Sequence, residues 1–425
     1  MRIALIGPAH PYKGGGARHT TELARWLAAA GHDVVIESWR RQYPVGLYPG
    51  GPQTVDVPEG EPFPGTRRDL SWRHPAGWIR VGRRLRDRDL VVFALLIPPQ
   101  AIPYLAILAA LRGLRGLSSP RGPGQGRRGG AVPRTVVVCH NVLPHESRPA
   151  DEQLTRLLLR RAGAALTHSA TEAARARALA PDALIAAARM PPHLPAAAPA
   201  AHLNGRAGHR AAERAVVPGF PVCQLLFFGI VRPYKGLDVL LRALARAPRH
   251  VVLTVAGEFW GKAEAETRAL MRELGLDGRV TLRPGYVPAD QIPGLFGGTD
   301  ALVLPYRSAT SSQNAWLAFE FGVPVVVTRA GTLADAVRDG VDGVVCEPGD
   351  EDDLLRALER ISAPGESDRL RSAVRAADPG GYWDDYLRAL LNLAAPPEQA
   401  PPGRESPGLE SPGREPPPGL EPMAR

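Results

Sequence analysis

Residues 2–38 read RIALIGPAHPYKGGGARHTTELARWLAAAGHDVVIES, and the order of patterns in them decides the fold class. Ile3 through Ile6 form a short aliphatic run that is continuous rather than alternating, as a strand covered on both faces requires. A glycine-rich loop over 7–16 follows, then Ala- and Leu-rich helical spacing over 17–30, then a second apolar run over 33–38. Strand, loop, helix, strand is the repeating unit of parallel α/β proteins. Further buried strands are predicted at 90–97, 135–139 and 164–168. The rhythm breaks over 191–221, a stretch of Pro, Ala, His and Arg with no apolar period, and then restarts. The second series predicts strands at 223–229, 251–256, 279–282, 301–304 and 323–328, helices at 236–247, 262–274, 289–296 and 313–321, and a last strand–helix unit through 361. The expectation is α/β: two Rossmann-like domains joined by a linker.

Composition narrows the function. A chain of 425 residues suits two domains plus extras. Its formal net charge of +9 favours anionic partners, a phosphorylated ligand or an acidic membrane surface. No aromatic–basic module accompanies that charge, so no nucleic-acid partner is expected. Of the 52 basic residues only Lys13, Lys235 and Lys262 are lysines, which makes each conspicuous. Three widely spaced cysteines, Cys139, Cys223 and Cys346, fit a reducing cytoplasm. Met1 leads directly into the first strand, which reads as a chain without a signal peptide. The apolar stretch 90–111 is interrupted by Pro98, Pro99 and Pro103, so it reads as strand, loop and helix rather than a membrane span. Residues 118–131 and 395–425 are rich in Gly, Pro and charge and too poor in apolar residues to fold.

Four stretches carry candidate chemistry. Gly14-Gly15-Gly16 sits between the first strand and helix, where a bare backbone can approach a ligand and helix N–H groups face an anion. It is not a G-x-G-x-x-G loop, no acid ends the second strand, and a plain tight turn is the alternative. Arg232 and Lys235 occupy the corresponding turn of the second domain, where a guanidinium and an ammonium beside a helix start trap a diphosphate; a solvated basic turn is the alternative. Ser308, Thr310, Ser311 and Ser312 precede another helix, suiting phosphate, although one of them as an N-cap explains itself. His140 ends a strand in Cys139-His140-Asn141, a position that faces a cleft in open α/β sheets, or else is structural. The four imply two sheets with their ligand edges facing each other; they name no reaction.

On these residues the chain resembles the retaining family 4 glycosyltransferases of the GT-B fold, two Rossmann-like domains facing across a cleft. The resemblance runs through the loop at 7–16 with Ala17–Ala24, the stretch from Phe228 to Gly236, and Asp300 to Pro305. It continues through Gly322-Val323-Pro324, the turns Asp339-Gly340 and Asp342-Gly343, and Trp383 in a segment like the family's returning helix. It implies an acceptor-binding domain over 1–195, a linker over 196–221, a donor-binding domain over 222–380, and a helix over 381–394 crossing back to the first domain. The tail 395–425 takes no part in this scheme. By the same resemblance Arg232 and Lys235 bind the donor diphosphate, Gly15 and Gly16 let the first loop close, and His140 lies near the reacting sugar. Tyr286 and Val287 fall near the base, and Ser311, Ser312 and Gln313 at the pyrophosphate.

One departure stands out. The family's paired Glu, eight residues apart, align with Ala309 and Leu317, and Ser312-Gln313 stands where many members of the subgroup lacking that pair have Ser-Gly. Glu320, one turn beyond Leu317, is either a substitute ribose contact or a partner in a helix salt bridge. Residues Trp39–Pro44 and Asn141–Glu146 resemble that subgroup on the acceptor side. The implied activity is transfer from a nucleotide sugar to a glycan or lipid-linked acceptor with retention, needing no metal and no further cofactor; no Asp-x-Asp or His/Cys cluster is visible in the sequence. The implied location is the cytoplasm, with the helix over 102–117 either touching an anionic membrane or packing in the core. The rival classes are an inactive nucleotide- or partner-binding protein and another GT-B enzyme such as an epimerase.

Overall fold

The computed structural model describes residues 1–42, 53–54, 60–113, 132–144, 149–193, 216–217, 220–310 and 312–395. The segments 118–131 and 396–425, most of the stretch 196–221, and Ser311 lie outside the described residues.

The first series runs β1 (Arg2–Ile6), α1 (Gly15–Ala29), β2 (Asp33–Arg41), β3 (Thr66–Ser71), α2 (Pro75–Arg84), β4 (Leu90–Leu95) and α3 (Ala101–Arg112). It continues with β5 (Arg134–Cys139), α4 (Asp151–Ala162), β6 (Ala164–Thr167), α5 (Ala170–Leu179) and β7 (Leu184–Ala187). A small antiparallel pair, β8 (Val216–Val217) and β9 (Phe220–Pro221), precedes the second series. That series is β10 (Cys223–Phe228), α6 (Leu237–Arg246), β11 (Val251–Gly257), α7 (Ala263–Glu273), β12 (Val280–Pro284), α8 (Ile292–Gly297) and β13 (Ala301–Leu304). It ends with α9 (Gln313–Glu320), β14 (Val325–Thr328), β15 (Gly343–Cys346), α10 (Glu351–Ser362), α11 (Glu366–Ala373) and α12 (Pro379–Ala394).

The strands form two parallel sheets, ordered β3-β2-β1-β4-β5-β6-β7 and β12-β11-β10-β13-β14-β15. The fold is therefore α/β with two Rossmann-like units, as the sequence predicts. Each order reverses beside its first strand, at β1/β4 and at β10/β13, so the loops at those strand ends border a crevice. Central strands such as β4, buried at every residue, are the continuous apolar runs seen in the sequence. Two edge strands escaped that reading. β3 (TRRDLS) is half charged, and β7 has Leu184 more than half exposed, because an edge strand needs no apolar residue on both faces.

Other boundaries move for local reasons. β4 stops at Leu95 because Pro98 and Pro99 open a 3-10 turn, and α8 starts at Ile292 with Pro293 in its first turn. The helix expected over 102–117 is described over Ala101–Arg112, and Tyr104, Ile107, Leu108 and Leu111 bury it in the first domain's core. That packing favours its core role over the membrane one. No described helix is long and apolar enough to cross a membrane. Trp39, read as part of an acceptor segment, is fully buried and stacks on Trp72, so its bulk serves the core.

α12 leaves the second domain and lies on the first sheet. Its Trp383, Tyr386, Leu387, Leu390 and Ala394 share one apolar cluster with Ile3, Leu5, Val136 and Leu166. Trp383 stacks between Trp26, at 5.8 Å, and His19, at 5.6 Å. Beneath it sit four histidines from separate elements: His19 of α1, His140 after β5, His168 after β6, and His193. His19 contacts His140 edge to face at 5.0 Å, and His140 lies 5.2 Å from His168. Burial pushes all four imidazoles down, His140 to about 4 and the others well below their ordinary 6.5. His19, His168 and His193 are buried and His140 is partly buried, and all four are neutral at physiological pH.

Two predictions follow from this packing. Trp383→Ala should lower unfolding stability by about 3–5 kcal/mol, the range for a large aromatic lost from a packed core, read by urea or thermal denaturation. The histidines should also make stability depend on pH. Unfolded imidazoles bind protons below about 6.5 while the buried ones stay neutral, so stability is present above that pH and lost as pH falls from 6.5 towards 4. Within that window the unfolded chain binds more protons than the folded one, so each such histidine lowers stability further as the pH falls. Melting temperatures from pH 7.5 to 4.5 should show the decline, and His168→Leu should flatten it. A slope unchanged in His168→Leu would show that His168 charges freely in the folded chain.

Candidate functional site

The crevice at β10/β13 is built from two loops that one glycine brings together. After β10 the chain makes a 3-10 turn, Pro233–Lys235, and enters α6 through Gly236 at φ +68°. A Cβ on Gly236 would stand 2.0 Å from the Pro305 carbonyl oxygen, so only glycine lets this turn lie against the loop after β13. Arg307 fastens the two. Its backbone N–H donates to the Tyr234 carbonyl at 2.7 Å, and its guanidinium makes a two-pronged pair with Asp238 at 2.7 and 2.6 Å. On the other side Asn314 Nδ2 donates to the Phe228 carbonyl at 2.9 Å.

This frame holds the two predicted cations. The Lys235 ammonium lies 5.2 Å from the centre of the Tyr306 ring, and burial lowers its pKa. It also stands 3.5 Å from where a Cβ of Gly229 would be, beside that glycine's open backbone. The Arg232 guanidinium stacks on Trp260 at 5.0 Å. Both belong to the loop at the crevice, and α9 begins on the facing loop.

The remaining predicted residues divide. Ser312 caps α9, accepting from the Asn314 N–H at 3.3 Å, which is the plain N-cap reading. Gln313 points both ends of its amide at residues 191 and 193, where the first domain's chain leads towards the linker. Leu317, in the place of a family Glu, is buried with Ala318 and Phe319 in the second domain's core. Glu320 has no ion pair among the described residues, which removes the salt-bridge reading. Burial raises its pKa, and it ends a helix whose start lies about 10 Å away along the axis. Val287 packs against the core, while Tyr286 receives the Lys13 ammonium over its ring at 5.5 Å.

The first domain supplies the opposite wall. A Cβ on Gly15 would meet nothing within 4 Å, whereas one on Gly16 would come within 2.0 Å of Leu96. Gly15 thus borders open space and Gly16 packs inward. Lys13, in the same loop, forms a buried ion pair with Glu258 at the end of β11, bridging the domains. Asn141, next to His140, accepts from the Thr310 hydroxyl of the second domain's loop. His140 Nε2 is buried without a hydrogen-bond partner among the described residues. His145 and Glu146 lie outside the described residues.

The fold adds one feature that the linear sequence does not show: His19, His140 and His168 bring one ring nitrogen each to within 4.8 Å of the others. One lies within α1 and two follow the strands β5 and β6, so no linear spacing reveals them. His19 has both nitrogens engaged, by His193 and Tyr386, and a metal ion would have to displace one. Lys13 was missed as a site residue although its rarity flagged it; Glu258, His19 and His193 carry no local signal.

Comparison with known proteins agrees with this architecture. Residues 223–363 match the family described as glycosyl transferases group 1. D-inositol 3-phosphate glycosyltransferase of Mycobacterium tuberculosis is 35% identical over 195 residues, 44% of this chain and 40% of that protein. The matched stretch thus spans well under half of that relative's length. HepE of Anabaena, solved with UDP and glucose, superposes with a TM-score of 0.64 at 15% identity over 92% of this chain and all of that one. The catalytic domain of starch synthase IV from Arabidopsis thaliana, bound to ADP and acarbose, gives 0.63 at 13% identity over 92% and 99% of the two chains. The chain has the two-domain GT-B fold of these structures, and its second domain matches the glycosyl transferases group 1 family.

Proposed function

We propose that the chain transfers a sugar from a nucleotide-sugar donor to a glycan or lipid-linked acceptor with retention of configuration. The observation that carries this reading is the convergence of Lys235 and Arg232 with the start of α9 at the second sheet's crevice. Breaking a nucleotide-sugar bond builds negative charge on the departing diphosphate, and preorganised cations and helix N–H groups stabilise it best where water is excluded. The nucleotides named with HepE and starch synthase IV support a nucleoside diphosphate as the leaving group here. In this reading His140, neutral at physiological pH, contacts the sugar from the first domain, and its neighbour's tie to Thr310 supports that approach. Tyr286 and Val287 flank the base and Gly15 the closing loop. Ser312 is read as lying near the diphosphate, and Glu320 stays a candidate for the ribose. No cofactor beyond the donor is required. The proposed location is the cytoplasm, with lipid-linked acceptors met at its membrane face.

A second reading is a nucleotide-binding protein without turnover, favoured by Ala309 and Leu317 in place of the two carboxylates. Calorimetry and product analysis separate the two. Arg232→Ala and Lys235→Ala should each weaken UDP or ADP binding about ten- to a hundredfold, the worth of one charge-assisted hydrogen bond. Lys235→Arg should recover only part of this, since a planar fork replaces a compact ammonium. Equal affinities in all variants would remove this donor site. His140→Ala should keep diphosphate affinity and cut turnover about a hundred- to ten-thousandfold, read by mass spectrometry of products from a donor panel. Diphosphate binding with no product from any donor would favour the second reading.

A further inference from the structure

The side chain of Gln313 has a task that the donor-site reading does not use. Its Oε1 accepts the His193 backbone N–H at 2.8 Å, and its Nε2 donates to the Pro191 carbonyl at 3.1 Å. Two bonds from one planar amide fix both position and orientation, as a single bond would not. His193 then passes the connection on. Its Nε2 meets Nδ1 of His19 at 2.8 Å, and Nε2 of His19 meets the Tyr386 hydroxyl at 3.0 Å. All three of these side chains are buried. A continuous hydrogen-bonded path therefore runs from the start of α9, through the chain that leads into the linker, to α1 and α12 on the first sheet.

The location gives the path leverage. The other two cross-domain ties named above, Lys13 with Glu258 and Thr310 with Asn141, join facing loops. Gln313 instead grips residues 191 and 193 at the end of the first domain, just before the chain leaves for the linker, where a small rotation swings the far ends of both sheets. Gln313 also adjoins Ser312 at the start of the helix that faces the crevice, so an anion arriving there acts on the same turn.

We propose that Gln313 is a positioning residue: by clasping the backbone of residues 191–193 to the start of α9, it sets the angle at which the two domains meet, and so how closely His140 approaches a bound donor. The catalytic part of this statement rests on the transfer reading above; the clasp itself does not. A glycine or alanine at 313 leaves two backbone groups of the connection without this partner. An unpaired buried backbone group is costly, so the connection would shift to find water.

Distance measurements test the clasp without relying on turnover. The three native cysteines are buried, so fluorescent labels can be attached at Leu157→Cys and Val341→Cys, exposed positions on the first and second domains. Gln313→Met keeps the length and removes both hydrogen bonds. Gln313→Glu keeps one acceptor and turns the contact with the Pro191 carbonyl repulsive. In both variants the interdomain distance distribution should broaden or shift relative to Gln313. In Gln313→Met, which adds no charge beside the diphosphate, UDP and ADP affinities should stay within about twofold, and kcat should fall at least tenfold with the donor KM little changed. An unchanged distribution in both variants overturns the clasp. A broadened one accompanied, in Gln313→Met, by a tenfold or greater loss of diphosphate affinity overturns the positioning role and makes Gln313 a ligand of the diphosphate. If neither nucleotide binds the unsubstituted protein, the donor-site reading fails, while the distance distributions still decide the clasp.

Discussion

Both sheets are parallel, and in a parallel sheet every strand points its carboxyl end to the same edge. Where the strand order reverses, at β1/β4 and β10/β13, the loops that follow depart to opposite sides and leave a crevice between them. Much of the candidate site sits in that gap or on the loops beside it. The glycine loop follows β1, the Arg232–Lys235 turn follows β10, and the serine-rich loop follows β13. Chemistry collects there because the edge offers free backbone N–H groups and a concave surface, while the rest of each sheet is sealed by packed helices.

A GT-B arrangement adds a second demand, since two such edges must be held face to face. α12 carries much of that load by laying Trp383, Tyr386 and Leu390 into the first domain's core. It also closes the roof over the histidines. Four imidazoles from four separate segments would repel one another if charged, and burial keeps them neutral. In that state they supply hydrogen bonds and flat surfaces to the seam rather than charge, which joins the packing of the seam to the path that starts at Gln313.

The cations at the cleft are handled in two ways. Arg307 is matched by Asp238 with a two-pronged bond, and it works as a staple between loops. Lys235 and Arg232 lie against aromatic rings, Tyr306 and Trp260. A ring face steadies a cation without cancelling its charge, so Lys235 keeps its positive potential at the crevice. Lys13 combines both, with Glu258 as its counter-ion and Tyr286 beneath it. Its place in the loop before α1 links closure of the first domain to the far wall of the cleft.

Periodicity and punctuation were local properties, so the sequence by itself determined the α/β class, the central strands, the helices between them and the two glycine-bearing turns. Residue type, together with a place on a strand-to-helix turn or at a strand end, marked Lys235, Arg232 and His140 as candidates. The tertiary structure decided what each neighbour does. Ser312 proved to be a helix cap, Leu317 a core residue, Arg307 a staple, and Gln313 a clasp on a segment more than a hundred residues earlier in the chain. The edge strands β3 and β7 escaped because a half-exposed strand carries no apolar run, and the helix boundaries moved where proline set them. The histidine cluster escaped for a deeper reason. His19, His140, His168 and His193 each look like a lone residue in the chain, and only parallel strands that end at one edge, roofed by a returning helix, bring them into contact.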